Sequence, residues 1–154
     1  MLTAGFIFLR LGAQNMGLKA WIHALTAPSV PSSSNAQGQF KLVCIVNQSL
    51  KMGKGKIAAQ VGHASVEACL FCIQKHSLAF EAWKRQGQRK VVVKARDAEE
   101  IEAILLAAID AGLATTRIRD AGKTQIPSGS LTVGAIGPAR EEELDELTGH
   151  LKLL

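Results

Sequence analysis

The chain has 154 residues, of which 47% are hydrophobic and 20% charged, a composition that fits one globular domain and excludes a disordered or fibrous protein. Its formal net charge is +5, and a basic surface attracts polyanions such as nucleic acid or an anionic membrane. The cysteines number only 3, which argues against a disulfide framework and favours a reducing intracellular setting.

Residues 1–39 differ in composition from the rest of the chain. They contain no acidic residue and end in PSVPSSSNAQGQ, which is typical of a flexible linker. Polar residues interrupt the apolar part, so the run of about 18 apolar residues that a membrane span requires is absent and we expect no stable membrane insertion. We interpret residues 1–39 as a flexible leader and residues 40–154 as the folded domain. The leader is either unstructured, in a cytoplasmic protein, or a targeting segment for an organelle such as the mitochondrion.

The first half of the domain predicts a strand, two helices and a second strand. FKLVCIV, from Phe40, is a continuous apolar run that leads into the glycine-rich loop SLKMGKGK. Apolar residues recur at helical spacing in IAAQVGHASVEACLFCIQ, which predicts a long and well-buried helix. SLAFEAWKRQG predicts a shorter helix from Ser77 to a stop at Gly87, and KVVVKA predicts a buried strand.

The second half predicts a helix, two strands and a last helix. Asp97 can cap the helix DAEEIEAILLAAIDAG, which Gly112 can end. TTRIRD alternates with period 2, LTVGAIG is a further apolar strand, and EEELDELTGHLKLL begins as an acidic helix and ends in an apolar tail. Because helices alternate with strands and a loop joins the last two strands, we predict an α/β fold, a three-layer α/β/α sandwich around a mixed four-stranded sheet.

Cations gather in the first glycine-rich loop, where no acidic residue precedes Glu67. The lysines of residues 41–66 are Lys41, Lys51, Lys54 and Lys56. With the amide groups of a helix N-terminus they could cradle a phosphate, although lysines in a mobile loop can also be merely solvated. The loop is not a nucleotide-binding P-loop, because GKGKI has one residue between its glycines and Ile57 after the lysine.

Two further polar side chains share a helix face with Lys56. Gln60 and His63 follow it at i+4 and i+7, so the three would line one ridge. In so apolar a helix, His63 fits a packing role as well as a role in a site.

A second loop, AGKTQIPSGS, follows Asp120 at the end of the alternating strand. Strand ends are where α/β folds gather ligands, and this loop offers a base, hydroxyls and amides. The candidates are Asp120, Thr124, Gln125, Ser130 and Thr132. Each alone also fits a structural role, since Asp opens turns and loop hydroxyls bond the local backbone.

Two other kinds of site find no support. Cys69 and Cys72 form a CxxC inside the helical pattern without a second ligand pair, so we interpret them as core residues and expect no metal. No Gly-x-Ser-x-Gly elbow occurs, so the chain offers no serine nucleophile of that type.

Taken together, the separated motifs resemble the archaeal and eukaryotic (type 2) peptidyl-tRNA hydrolases over Lys41 to Leu154. In chain order they are KMGKGKIAAQ with the following HA, KVVVKA, IRDAGKTQI, GSLTV with AIGP, and TGHLKL. The resemblance implies hydrolysis of the ester of peptidyl-tRNA, which recycles stalled tRNAs, on a mixed-sheet α/β/α domain. It also implies no metal or organic cofactor and, in many members, a homodimer.

By position, the resemblance implies functional roles for Lys56, Asp120, Thr124 and Thr132, and less specifically for Gln60, His63 and Gln125. We count the last three, with Lys51, Lys54 and Ser130, as candidates for substrate binding. A consistent mechanism is attack of water on the ester, with Asp120 as general base and Lys56 supplying positive charge.

The sequence departs from the family pattern in two places. Asn47, Gln48 and Ser49 stand where the family commonly has an Arg and an acid, and Pro127 precedes Ser128 and Gly129 where Pro-Gly is usual. Two other functions therefore remain open: a non-catalytic tRNA-binding or adaptor module, and a small-molecule esterase that would not need the lysines.

Overall fold

The structure is a computed structural model that describes residues 38–121 and 126–154. The strands are β1 (Phe40–Asn47), β2 (Lys90–Ala95), β3 (Thr115–Arg119), β4 (Leu131–Arg140) and β5 (Lys152–Leu153). The helices are α1 (Lys54–Lys75), α2 (Ser77–Arg85), α3 (Ala98–Asp110) and α4 (Glu141–Thr148), and one 3-10 turn, Gln48–Leu50, follows β1. The described residues thus form an α/β fold, as predicted.

The strands form one mixed sheet in the order β3-β4-β1-β2-β5. β1 and β2 pair in parallel, and the other three pairs are antiparallel. The sheet has five strands, so the prediction of four was wrong. The additional strand, β5, pairs Leu153 with Val93 and Lys152 with Lys94. A strand of 2 residues is too short to show an alternating pattern, and its residues therefore looked like an apolar tail.

The central strand β1 is buried along its whole length, which is why its sequence is apolar from Leu42 to Val46 rather than alternating. Val43 and Ile45 pack into a cluster with residues of α3 and α4, among them Ile101, Leu105 and Leu144. The intervening residues of β1 pack into a second cluster with residues of α1 and α2; these are Leu42, Cys44 and Val46 against Ala64, Ala68, Ala82 and Trp83. Alternate side chains of one strand thus serve two apolar clusters.

Helix α3 begins and ends as its sequence predicts. The side chain of Asp97 accepts a hydrogen bond from the backbone N–H of Glu100 at 2.9 Å, the geometry of an N-cap. This bond is the main reason that the pKa of Asp97 lies below its usual value. At the other end Gly112 has a φ of +75°, a conformation that a glycine adopts without strain.

Two glycine substitutions are expected to change stability in opposite directions. A Cβ at Gly134 of β4 would lie 2.6 Å from Cγ2 of the buried Ile101, so Gly134→Ala should lower the free energy of unfolding by about 1–3 kcal/mol through overpacking. A Cβ at Gly62, inside α1, meets nothing within 4 Å, so Gly62→Ala should raise it by about 0.5–1 kcal/mol. Urea unfolding of both variants measures these changes in the free energy of unfolding. Changes of the same sign in the two variants would contradict the prediction.

The cysteines lie in or beside the apolar core. Cys44 and Cys72 are fully buried, and burial raises the pKa of Cys44 to about 11 and that of Cys72 to about 12. Cys69 is half-buried and packs against the apolar cluster between β1 and α1.

Over the described ranges, no group of three or more His, Cys, Asp or Glu side chains is placed to hold a metal ion. None of the described helices is long and apolar enough to cross a membrane.

Candidate active site

Both predicted loops lie at the same edge of the sheet. β4 runs antiparallel to β1 and to β3, so β1 and β3 end where β4 begins. The 3-10 turn and a short loop connect the end of β1 to α1, which brings the N-terminus of α1 to that edge as well. The first loop, the end of β3 and the start of β4 therefore converge.

The convergence joins Lys56 to Asp120. The ammonium nitrogen of Lys56 donates a hydrogen bond to Oδ1 of Asp120 at 2.6 Å. The Asp120 side chain is 5% exposed and that of Lys56 is 18% exposed, so water screens this pair less than it screens a surface ion pair. Lys56 is the third residue of α1, which begins three residues before the helical pattern that the sequence shows from Ile57, and no acidic residue lies in this first turn. The negative charge that the helix N-terminus favours comes instead from Asp120.

Backbone bonds hold Asp120 in place from both sides. Its N–H donates to the carbonyl of Ser130 at 2.9 Å, and its carbonyl accepts from the N–H of Gly129 at 2.8 Å. Gly129 has a φ of +83° and is the third residue of a turn that a bond from the Ser130 N–H to the Pro127 carbonyl closes at 3.2 Å. The order Pro-Ser-Gly, one departure from the family pattern, thus suits this turn.

Thr132 is fully buried at the start of β4 and lies beside Gln60. Its hydroxyl oxygen is 2.9 Å from the carbonyl oxygen of Ile118 and 2.6 Å from Oε1 of Gln60. A hydroxyl has only one proton, so both contacts are satisfied together when Gln60 turns its NH₂ group toward Thr132. Thr132 therefore joins α1 to β3 and β4, and it does so beside the ion pair.

His63 is exposed and lies, with Gln60, on the wall of a groove of about 880 Å³ between α1 and β3. Asp120 and Ala121 line the same groove. The structure thus brings Gln60, His63 and Asp120 to one cavity. His63 is not a packing residue.

The remaining described candidates lie outside this groove. Lys51 and Lys54 are exposed at the start of α1. The Ser130 hydroxyl donates to the carbonyl of Pro127 at 2.7 Å and lines a smaller cavity, of about 430 Å³, which also contains Asn47 and Arg119. Two candidates, Thr124 and Gln125, lie outside the described residues.

Lys41 does not belong to the basic cluster with which the sequence grouped it. It is 5% exposed, and its ammonium lies 2.6 Å from Asp145 and 3.4 Å from Glu141, both on α4. These acids follow Lys41 by about a hundred residues, so the charges of the neighbouring sequence could not predict that Lys41 is paired with them.

Asn47, at the other departure from the family pattern, joins β1 to β4. Its Nδ2 donates to the carbonyl of Leu131 at 2.9 Å, and its Oδ1 accepts from the N–H and the hydroxyl of Ser49. The amide therefore uses both its donor and its acceptor to fix the 3-10 turn against the edge of the sheet.

A sequence model described as peptidyl-tRNA hydrolase PTH2 matches residues 40–154. The chain belongs to the PTH2 family. A peptidyl-tRNA hydrolase of Methanocaldococcus jannaschii is 48% identical over 115 residues, which cover 75% of this chain and 100% of the relative. One from Sulfolobus acidocaldarius is 47% identical over 120 residues, with the same coverage of 75% and 100%. The human protein named peptidyl-tRNA hydrolase 2, mitochondrial, is 47% identical over 116 residues, covering 75% of this chain and 65% of that protein.

Sequence reasoning missed most of the groove in this PTH2 member. Thr116, Ile118 and Arg119 line its β3 wall, while Gly62 and Val66 line its α1 wall. Ile118 and Arg119 stand in the motif IRDAGKTQI, but the sequence assigned no role to any of these five residues. The alternation of TTRIRD up to Asp120 was the available signal, because a strand that ends at a site also forms the wall that leads to it.

Proposed function

We propose that this PTH2 member hydrolyses the ester between peptide and tRNA at the Lys56–Asp120 pair. Membership in the family supports the reaction. The single observation that supports this location of the reaction is the Asp120 carboxylate, which is 5% exposed, bonds Lys56 at 2.6 Å and lies on the wall of an open groove. An acid and a base held together beside a cavity are what general base catalysis requires.

The pair has a role at each step of the reaction. Asp120 accepts a proton from a water molecule as the water oxygen attacks the ester carbon. Lys56 stabilises the oxyanion that forms on the carbonyl oxygen, since an ammonium has three N–H donors and can bond two oxygens. When the ester C–O bond breaks, Asp120 returns the proton to the ribose oxygen of the departing tRNA.

The other candidates fit supporting roles. Lys51 and Lys54 lie exposed beside the N-terminus of α1, where positive charge and amide groups favour a phosphate of the tRNA. Thr132 is fully buried, so it positions Gln60 and the strands and does not touch substrate. Thr124 and Gln125 belong to the loop after Asp120, and we assign to them the positioning of the water or the terminal ribose. The Ser130 hydroxyl instead bonds the Pro127 carbonyl and fixes the turn that holds Asp120.

The test is release of free tRNA from N-acetyl-aminoacyl-tRNA by the wild-type protein, with a metal chelator present throughout. The proposal expects turnover that the chelator does not reduce, because no step uses a metal or a cofactor. Binding of tRNA without turnover would identify an adaptor and contradict the proposal.

We also propose a three-layer α/β/α arrangement and a homodimer. The two apolar clusters on alternate residues of β1 support a three-layer α/β/α arrangement.

Exposed apolar residues on α1 support a homodimer, since Leu70 and Ile73 are 53% and 50% exposed and share a helix face. Leu70→Asp is expected to convert dimers to monomers in sedimentation velocity, and a wild-type protein that sediments as a monomer would contradict this.

We propose that the described domain is sufficient for activity and that the protein works in the cytoplasm. Gly38 and Gln39 bond the domain, through the Gln86 side chain and the Glu141 N–H, so the truncation to test removes residues 1–37. It should retain the hydrolysis rate of the full chain. Residues 1–37 fused to a fluorescent protein decide the location, and accumulation in mitochondria would favour the targeting alternative.

A further inference from the structure

We propose that the open edge of β3 binds the peptide of peptidyl-tRNA as an added β-strand, through backbone hydrogen bonds that do not depend on the peptide sequence. This inference rests on the proposed function, because it takes the ester to lie at Asp120. It assigns to the groove between α1 and β3 a specific occupant, namely the last few residues of the peptide in extended conformation.

The groove leads away from the site along a strand. One wall is β3, from Thr116 to Arg119, and Asp120 and Ala121 continue it at the end of the strand. The other wall is α1, through Gln60, Gly62, His63 and Val66. A peptide whose ester carbonyl lies at Asp120 can therefore extend along β3 as far as Thr116 without leaving the cavity.

Among the residues that the structure describes, β3 is the terminal strand of the sheet and β4 is its one partner. The backbone groups that face β4 are known from their bonds: the Ala114 carbonyl accepts from the Gly137 N–H, and Asp120 exchanges bonds with Gly129 and Ser130. The Ile118 carbonyl also faces β4, where it accepts from Thr132. Backbone direction alternates along a strand, so the N–H and C=O groups of Thr115, Arg117 and Arg119 face the open edge.

The open edge supplies what an unspecific peptide site needs. A substrate defined by its ester and its tRNA shares only backbone N–H and C=O groups from one peptide to the next. Strand addition recognises those groups and leaves side chains on alternate faces of the new strand. The side chains of Arg117 and Arg119 pair with Glu102 of α3, at 2.8 and 3.0 Å, which holds the edge strand in position.

Gly62 leaves room for the added strand. A glycine inside a helix weakens that helix, and the described structure shows no neighbour that requires one here, since a Cβ at Gly62 would meet nothing within 4 Å. The open space is on the groove side, where Gly62 faces β3. A larger residue at this position would fill the groove without disturbing the core.

The position of Asp120 and the length of β3 predict the direction and the length of the bound peptide segment. The peptide ends at Asp120, which follows the last residue of β3, so the peptide runs parallel to the strand. The 5 residues of β3 span about 16 Å at 3.3 Å per residue, which matches a peptide segment of about five residues.

The experiment measures kcat/KM for a series of peptidyl-tRNAs that carry one to eight residues on the same tRNA. For the wild type, we expect kcat/KM to rise about tenfold or more and to level off near five residues, as two to four hydrogen bonds form. In Gly62→Leu the ratio of kcat/KM for long substrates to kcat/KM for short ones should fall to about one. The control is Ala58→Leu, which adds the same side chain to α1 outside the groove and should leave the ratio unchanged.

Methylated peptides provide a second measurement on the wild type alone. In a parallel pair only every second residue turns its N–H toward the partner strand. Methylation of those amides should lower kcat/KM severalfold, methylation of the intervening ones should not, and the same period should appear in alanine-rich and serine-rich peptides.

The outcomes separate this inference from the function on which it rests. If the wild type does not hydrolyse N-acetyl-aminoacyl-tRNA, the proposed function fails and the inference with it. Hydrolysis that is independent of peptide length, or that shows no period of two on methylation, overturns the inference alone. So does a Gly62→Leu variant that changes its sedimentation but keeps the ratio, because a second copy of the chain would then occupy the edge.

Discussion

Asp120→Asn is expected to lower kcat for peptidyl-tRNA hydrolysis by about 10²- to 10⁴-fold, the usual contribution of a general base. Asparagine has the shape of aspartate and keeps an oxygen that can accept the bond from Lys56, now 2.6 Å long, so the fold should survive. It cannot take a proton from water. Binding of tRNA should change little, since the negatively charged carboxylate does not attract the phosphates of the tRNA.

Single-turnover hydrolysis and filter binding at one salt concentration measure the two effects separately. Asp110→Asn is the matched control, because Asp110 is exposed at the end of α3 and does not line the groove of Asp120. The control should hydrolyse at the wild-type rate. A rate for Asp120→Asn within a few-fold of wild type would show that Asp120 is not the base.

The sequence predicts the parts of this fold that local chemistry determines. The Asp97 cap and the stop at Gly112 follow from residue type and spacing, and the structure has both of them. β5 could not be predicted, because its 2 residues become a strand only by pairing with β2. Likewise Lys41 is neutralised by acids of α4, which no local pattern brings near it.

Lys56 and Asp120 are separated by 64 residues, and each motif alone fits a structural role. They meet because β1 and β3 both run antiparallel to β4, and the sequence predicted a mixed sheet without the order of its strands. The sequence therefore predicted the members of the pair, and only the strand order shows that they touch.

Lys56→Met is expected to reduce both activity and stability. Methionine keeps much of the length of the side chain but removes the charge beside Asp120, which is 5% exposed. Removing one partner of a buried pair costs about 3–5 kcal/mol, and because Lys56 is 18% exposed we expect the lower end of this range. Hydrolysis should fall by about 10²-fold or more, since the oxyanion loses its positive partner. Lys54→Met is the control; Lys54 is exposed in the same turn, so its loss should weaken tRNA binding and spare stability.

The double variant Lys56→Met with Asp120→Asn separates the two roles of the pair. Without either charge no carboxylate is left buried beside a missing lysine, so urea unfolding should show the double variant to be more stable than Lys56→Met alone. Its hydrolysis rate should fall below that of Asp120→Asn, because a general base and an oxyanion partner stabilise different charges in the transition state. Recovery of stability without recovery of rate would identify a catalytic pair that the fold does not need. A double variant no slower than Asp120→Asn would instead show that Lys56 affects the rate only through Asp120, and the assignment of Lys56 as the oxyanion partner would be wrong.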